Sequence, residues 1–212
     1  MAKIYADIAG FIIGSIGKIS YYMRYSENIA RRKNVGGKSS DSPAAVEQRV
    51  KFGMLDKLSS VMLTVIALGF VQRKRGLSTG NAFLQLNKDI FTVEGDIITV
   101  DYEHLLCANG PLVGPEVEVT YSEGSSTFIF KQTKMEEEVN CSADDKIYAV
   151  LLEFDQGFCR LIELRQRGEN GVTSIPLPQR WKKEHMIVYA FAMSADQKKA
   201  SKSMYLTVSE VA

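Results

Sequence analysis

The spacing of apolar residues between positions 42 and 69 predicts one amphipathic helix. Apolar side chains recur there every three or four residues, which places them on a single buried stripe. Ser42 is a favourable N-cap residue, Pro43 suits the first helical position, and Gly69 suits the residue just past the C-terminus. From Val61 onward the segment is apolar on nearly every side, so we expect its second half to be enclosed. The predicted stripe consists of Val46, Val50, Met54, Leu58, Val61, Val65 and Leu68.

A second helix is predicted from Thr79 to about Phe91, with Ser78 as its N-cap. Its apolar face consists of Ala82, Phe83, Leu86 and Ile90. The run DIITVDY that follows has the β-branched composition of a strand, and the segment CANGPLVGP has the residues of a turn-rich boundary. Residues 42–114 are therefore expected to form a helical region with one short strand.

From position 115 onward the pattern changes to short alternating runs separated by turn residues. The seven runs are EVEVTY, STFIFKQ, KIYAVLLEF, FCRLIEL, GVTSIPLP, HMIVYAFAM and SMYLTVSE. Seven short strands in about a hundred residues are typical of an immunoglobulin-like or fibronectin-like sandwich. No cysteines occupy the usual sheet-bridging positions, which favours the fibronectin-like form. Residues 115–212 are therefore predicted to be a seven-stranded β-sandwich.

The first 41 residues fit neither pattern. Gly10, Gly14 and Gly17 interrupt an apolar run, and each glycine disfavours a helix by about 1 kcal/mol relative to alanine. The segment then becomes aromatic and basic, and it ends in the flexible composition NVGGKSSDS. We expect residues 1–41 to form an extended arm and linker whose apolar side chains need a partner surface. The predicted assembly contacts are Phe11, Ile12, Ile13, Ile16, Tyr21, Tyr22 and Met23.

Together the three segments predict an α+β fold. It consists of an extended N-terminal arm, a helical pair, and a C-terminal seven-stranded immunoglobulin- or fibronectin-like β-sandwich. The chain has 212 residues, which is enough for one large domain or two small ones. Hydrophobic residues make up 45% of it and charged residues 24%, so the composition supports an ordinary folded core.

Two basic clusters, at positions 24–33 and 73–75, suggest nucleic-acid binding as an alternative function. Tyrosines interleaved with cations are typical of a platform for single-stranded nucleic acid. The possible nucleic-acid contacts are Arg24, Tyr25, Arg31, Arg32, Lys33, Arg73, Lys74 and Arg75, with Tyr21 beside them. The interpretation that we favour is that the tyrosines belong to a β-strand and the first basic cluster to a solvated loop. The second cluster follows a helix C-terminus, where cations stabilise the helix dipole.

Charge, cysteine content and the N-terminal run restrict where the protein acts. The net charge of +1 excludes a global basic field that would attract nucleic acid. The three cysteines form no CxxC pair, which fits a reducing compartment and argues against a disulfide framework. Asp7 and several glycines break the N-terminal apolar run, so we expect neither a signal peptide nor a membrane span. These features predict a protein of the cytoplasm.

Motifs for catalysis are not evident. The run GFIIGSIGKIS lacks the spacing of a nucleotide-binding loop. The acidic run from Glu136 to Glu138 lacks the alternating geometry of a calcium loop. His104 and His185 lie in different regions, and neither accompanies a nucleophile in the sequence. We therefore expect no enzymatic activity, no cofactor, no metal and no small-molecule substrate.

Short motifs along almost the whole chain resemble a known bacterial family. They are GSIGKISYYMR, EQRVKF, the pair Gly69-Phe70, STGNAF, NGPL, LPQRW and SMYL. This order of features resembles a domain family of unknown function that often occurs in multiple copies per genome. It has a glycine-rich arm, a helix with a Q-R-x-K-F element, and a fibronectin-like sandwich. The chain is also similar to small structural proteins of tailed phages. The family implies no catalytic residues. The phage-like relatives imply a role in virion assembly and a location in the virion or in the cytoplasm of the bacterial host.

Three functions are compatible with these features. The preferred hypothesis is a non-enzymatic structural protein of a phage or prophage-derived virion, which joins neighbours through its N-terminal arm. Its partners would be further copies of itself or other virion proteins. The alternative is a nucleic-acid-binding accessory protein that uses the basic and aromatic residues. The third is an exported adhesin or carbohydrate-binding module, which rests on the β-sandwich alone.

Overall fold

The fold is mixed α+β, as the sequence predicts. A computed structural model of the chain describes residues 2–4, 10–24, 26–33, 41–95 and 97–211. The chain divides into two compact units, Met1–Val46 and Glu47–Ala212. The first unit contains a small sheet and the first residues of one helix, and the second contains the rest of the helical residues and the remaining sheets.

The N-terminal segment is a sheet, so the prediction of an extended arm was wrong. Its strands are β1 (Ala2–Ile4), β2 (Gly14–Ile16), β3 (Ile19–Arg24) and β4 (Glu27–Arg32). They form an antiparallel sheet in the order β1-β4-β3-β2. Gly17 has a φ of +57°, which suits the tight turn between β2 and β3. The glycines that disfavour a helix thus permit the hairpin.

The long helix predicted from Ser42 to Gly69 is broken into two. Helix α1 (Pro43–Val61) is followed by helix α2 (Leu63–Gly69) at a bend of 85°. Met62 lies between them with φ −92° and ψ 15°, outside the helical range. Its side chain is fully buried. The bend therefore turns the apolar second half of the segment into the core.

The second predicted helix is shorter than expected. Helix α3 (Thr79–Leu86) begins at Ser78, whose side chain accepts a hydrogen bond from the Asn81 N–H at 3.1 Å, as the predicted cap requires. The helix ends at Asn87, whose buried side chain donates to the Phe83 and Leu106 carbonyls. Of the residues predicted as its last turn, Phe91 instead begins strand β5 (Phe91–Glu94), which pairs with β6 (Ile97–Val100).

Each of the seven predicted C-terminal runs contains a strand. The strands are β7 (Val117–Ser122), β8 (Thr127–Gln132), β9 (Lys146–Glu153), β10 (Phe158–Gln166), β11 (Gly171–Pro176), β12 (Met186–Met193), β13 (Met204–Leu206) and β14 (Val208–Val211). A 3₁₀ helix, Lys183–His185, precedes β12. The strands form two sheets, in the orders β10-β9-β12-β13 and β11-β8-β7-β14. Most neighbours are antiparallel, but β14 runs parallel to β7.

The sheet that contains β9 and β12 is buried on both faces. Ile147, Ala149 and Leu151 of β9 pack in the core shared with the other C-terminal sheet. Tyr148, Val150 and Leu152 point the opposite way, into a core shared with the three helices. Residues of β12 alternate in the same manner. The helical segment therefore shares one core with the C-terminal strands.

Whether a helix can cross a membrane depends on its length and its apolar composition. In the described part of the chain, no single helix has the length and apolar composition to cross a membrane. Helices α1 and α2 reach that threshold only when they are counted together across their bend.

Candidate functional site

The N-terminal sheet carries a concentration of exposed apolar side chains. Phe11, Ile13, Ile16, Ile19 and Met23 are all exposed, and we call these five residues the apolar surface. Among residues 10–24, 26–33 and 41–46, Ile29 is the one buried large hydrophobic side chain. A small sheet needs a packed hydrophobic face to be stable in water. The apolar surface is therefore a candidate site for contact with another molecule.

Strand pairing determines which predicted assembly residues share a face. Ile16 pairs with Ile19, and Gly14 pairs with Tyr21. Because side chains alternate along a strand, Ile16, Ile19, Tyr21 and Met23 lie on one face of the sheet. Tyr22 lies on the opposite face. The predicted assembly contacts are thus brought together only in part.

The remaining three predicted assembly contacts precede β2. Phe11 and Ile13 are exposed, whereas Ile12 is half-buried. The Ile12 carbonyl accepts a hydrogen bond of 2.7 Å from the buried Asn28 side chain, which fixes this segment against β4. Phe11 and Ile13 are therefore held beside the sheet and not inside it.

The order of the strands leaves β2 at one edge of the sheet. Its three residues, Gly14–Ile16, pair with β3 on one side only. The Ser15 and Ser20 hydroxyls are 3.1 Å apart across that pair. The other edge of β2 presents backbone groups that are suited to pairing with a strand of another molecule.

The N-terminal basic residues do not form one stripe. Arg31 pairs with Ser20 and Arg32 with Ile19, so their side chains point to opposite faces of the sheet. Tyr22, Arg24 and Arg31 share one face. The backbone N–H of Lys33 donates to the Lys18 carbonyl at 2.6 Å. Tyr25 lies outside the described residues.

One residue of the second basic cluster, Arg73, has a structural role. The Arg73 guanidinium donates to the Phe70 carbonyl at 2.9 Å and to the Leu77 carbonyl at 2.8 Å. Phe70 is the C-cap of α2, so Arg73 satisfies a carbonyl at the end of that helix. Lys74 and Arg75 are exposed in the loop before α3.

A cleft of about 480 Å³ lies in the second unit between α1, the β5–β6 hairpin and the turn after β9. Its apolar lining includes Met54, Leu58, Val61, Phe91, Val100 and Leu152. Tyr102 stacks on Phe154 at this cleft, with ring centroids 5.3 Å apart, and burial raises the pKa of Tyr102. A mainly apolar cleft with a few polar groups is typical of a ligand site.

Beside this cleft, Glu153, Asp155 and His185 converge. His185 Nδ1 lies 3.1 Å from Glu153 Oε1 and 3.5 Å from Asp155 Oδ2. Glu153 is completely buried, His185 is half-buried, and Asp155 is exposed and lines the cleft. The three ligand atoms lie within 4.8 Å of one another.

Sequence reasoning did not find this cluster. Glu153 and His185 are 32 positions apart, so no short motif connects them. The available signal was the pair Glu153 and Asp155 at the end of a buried strand, followed by the turn residues Gln156 and Gly157. Only the pairing of β9 with β12 brings His185 to the same end of the sheet.

Comparison with known proteins gives one family. The family of unknown function DUF6266 matches residues 4–207, almost the whole chain, so the chain belongs to that family. This confirms the resemblance to a domain family of unknown function. No curated protein matches the sequence.

Proposed function

We propose that this member of the DUF6266 family is a non-enzymatic structural protein that joins neighbouring subunits through its N-terminal sheet. The apolar surface is the observation that carries the proposal, because five large apolar side chains are exposed within residues 11–23. We further propose, from the expected similarity of its sequence motifs to tailed-phage structural proteins, that the assembly is a virion or a prophage-derived particle.

The energetics favour association with several neighbours. Full burial of one large apolar side chain contributes about 1.5–3 kcal/mol. Association of two molecules costs roughly 4–15 kcal/mol in lost translational and rotational freedom. Burial of one or two side chains would therefore be marginal, whereas contacts repeated through an assembly would be stable.

The partner we propose is a second copy of the chain. Strand β2 is short, lies at an edge, and carries Ile16 on the same face as Ile19 and Met23. A symmetric pairing of β2 with its counterpart would satisfy the edge backbone groups of both copies and place their two apolar surfaces side by side, with Ile16 next to its counterpart.

A matched pair of variants tests this proposal. Ile16→Lys places a charge on the apolar surface, where Ile16 is 64% exposed, whereas Ile97→Lys places one on β6, where Ile97 is 70% exposed. Light scattering over a range of concentrations should show association of the original chain and of the Ile97 variant, and a monomer for the Ile16 variant. A monomeric original chain, or equal association of both variants, would contradict the proposal.

We also infer that the two C-terminal sheets form an immunoglobulin- or fibronectin-like sandwich. The first, second and fifth strands of this region (β7, β8 and β11) share one sheet, and the third, sixth and seventh (β9, β12 and β13) share the other. This grouping supports the assignment, since it matches the grouping of immunoglobulin-type strands. Crystallography should find the two sheets aligned within about 30°. An orthogonal packing would contradict the assignment.

A second candidate function is binding of single-stranded nucleic acid. It is favoured by the common face of Tyr22, Arg24 and Arg31. Gel-shift titrations with a short DNA strand should then show binding that weakens steeply as salt rises. Arg31→Glu should abolish this binding, and Arg32→Glu, on the other face, should retain most of it. Association through the apolar surface would instead persist or strengthen with a kosmotropic salt.

A further inference from the structure

We propose that Glu153, Asp155 and His185 bind one divalent transition-metal ion of the zinc class. One imidazole nitrogen and two carboxylate oxygens form a mixed nitrogen and oxygen donor set, which suits Zn²⁺ and its first-row neighbours. The three donor atoms already lie within 4.8 Å of one another. The site is separate from the apolar surface and does not depend on the assembly function.

The backbone holds two of the three ligands in place. The Phe154 N–H donates to the His185 carbonyl at 3.1 Å, which joins the end of β9 to the start of β12. The rings of Phe154 and His185 are also in contact, with centroids 5.1 Å apart. His185 is therefore fixed next to Glu153 by both backbone and side-chain contacts.

The backbone hydrogen bond to Glu153 uses one carboxylate oxygen and leaves the other, Oε1, for a metal ion. The Gln156 N–H donates to Glu153 Oε2 at 2.7 Å, while Oε1 faces His185. This arrangement resembles the outer hydrogen bonds that orient carboxylate ligands in metal sites. Glu153 can accept the backbone donor with one oxygen and bind an ion with the other.

The charges of the cluster also favour a cation. Two carboxylates face one imidazole nitrogen, and one of those carboxylates is completely buried. A buried carboxylate needs a compensating charge or several hydrogen bonds. A single imidazolium supplies one positive charge, whereas a divalent ion supplies two and contacts all three groups.

The required adjustment is small. Zinc ligands at about 2.0–2.2 Å in tetrahedral geometry are roughly 3.4 Å apart. His185 Nδ1 is already 3.1 Å and 3.5 Å from the two carboxylate oxygens. Asp155 is 56% exposed, so its side chain is the one that can move to complete the set. Because Asp155 also lines the cleft, the ion would lie at the edge of that cleft.

Binding of Co²⁺ and Zn²⁺ to the full, tag-free chain tests the site. After treatment with a chelator, the protein should bind one equivalent of Zn²⁺ by calorimetry. Co²⁺ should give a visible absorption band that Zn²⁺ then removes. Zn²⁺ should also raise the thermal midpoint, since an ion that binds only the folded chain stabilises it.

Variants distinguish this site from adventitious binding. His185→Gln and Asp155→Asn should each weaken Zn²⁺ binding by about tenfold or more, because even outer-shell changes in metal sites cost that much. The matched control is His104→Gln. His104 Nδ1 lies 2.8 Å from Asp101 Oδ2 in an exposed pair, and no third ligand joins them among the residues that the structure describes, so loss of His104 should leave Zn²⁺ binding unchanged.

Three outcomes would overturn the proposal. They are the absence of Zn²⁺ binding by the original chain, undiminished binding by the His185 and Asp155 variants, and loss of binding in the His104 control. Far-ultraviolet circular dichroism of each variant checks that it is folded. Asp155→Asn keeps the test decisive if the His185 variant does not fold, since Asp155 is exposed.

Discussion

At the residue scale, Arg167 is a charged side chain that the fold buries almost completely. It is 1% exposed, and its Nε donates to Asp145 Oδ2 at 3.1 Å. Its terminal nitrogens donate to the Val113 carbonyl at 2.8 Å and to the Gly114 carbonyl at 3.3 Å. The backbone N–H of Arg167 also donates to the Asp145 carbonyl at 2.8 Å. One side chain thus connects the end of β10 to the segments before β7 and before β9.

Replacing Arg167 should be strongly destabilising. Arg167→Met leaves Asp145 buried without its counter-charge, and loss of one partner of a buried pair costs about 3–5 kcal/mol. The free energy of unfolding, measured by urea titration, should fall by that amount.

The exposed pair of Lys131 and Glu118 supplies the control for this prediction. Their charged atoms are 3.4 Å apart, but both side chains are mostly exposed. Lys131→Met should therefore change the free energy of unfolding by less than about 1 kcal/mol. A similar small loss for the Arg167 variant would show that the buried pair contributes little.

At the scale of elements, helix α2 approaches another segment closely at its last residue. A Cβ atom on Gly69 would lie 2.7 Å from the Cα of Ala108. The Asn109 N–H donates to the Gly69 carbonyl at 3.0 Å, which holds the two backbones together. Glycine is thus required here by contact with a neighbouring segment. The prediction that Gly69 lies just past the end of the helix was wrong, since Gly69 is the last residue of α2 and Phe70 is its C-cap.

Two glycine substitutions should have opposite effects. Gly69→Ala forces the backbones of α2 and residues 107–109 apart, and such overpacking typically costs 1–3 kcal/mol. Gly53→Ala lies in the exposed interior of α1, where an added Cβ meets no atom within 4 Å. It should stabilise the protein by about 0.5–1 kcal/mol, because alanine favours a helix. Thermal or urea unfolding measures both, and a neutral Gly69 variant would contradict the packing argument.

Strands and helix caps were predictable from the sequence because they depend on local pattern. The alternation in EVEVTY and HMIVYAFAM corresponds to β7 and β12, and the Ser78 cap is present. The break at Met62 was not predictable, since no proline or glycine marks it and tertiary burial determines it. The nearly continuous apolar run in β9 indicated burial on both faces, a signal that could have placed the helices against this sheet.

Neither the N-terminal sheet nor the cluster of Glu153, Asp155 and His185 was predicted from the sequence, for two different reasons. Two of its strands, β1 and β2, have only three residues each, and its glycines suggested an irregular chain although Gly17 serves a turn. The cluster joins positions distant in sequence, so it depends on strand pairing that a single sequence does not provide. Local signals thus predict elements, whereas sites built across elements need the fold.

At the scale of the whole molecule, both hydrophobic cores belong to the second unit. Their described members extend from Leu55 to Leu206, and none comes from residues 1–46. Each core uses one face of the sheet that contains β9 and β12. The stability of this unit is therefore expected to be independent of the N-terminal sheet.

Deletion of residues 2–36 should separate stability from association. The shortened chain retains α1 from Pro43 onward and both cores, so its urea midpoint should match that of the full chain. The slope of unfolding with denaturant should also change little, because it scales with the surface that unfolding exposes. Light scattering should find a monomer at concentrations where the full chain associates. A lower midpoint would show that the N-terminal sheet supports the fold, and association of the shortened chain would place the contact surface elsewhere.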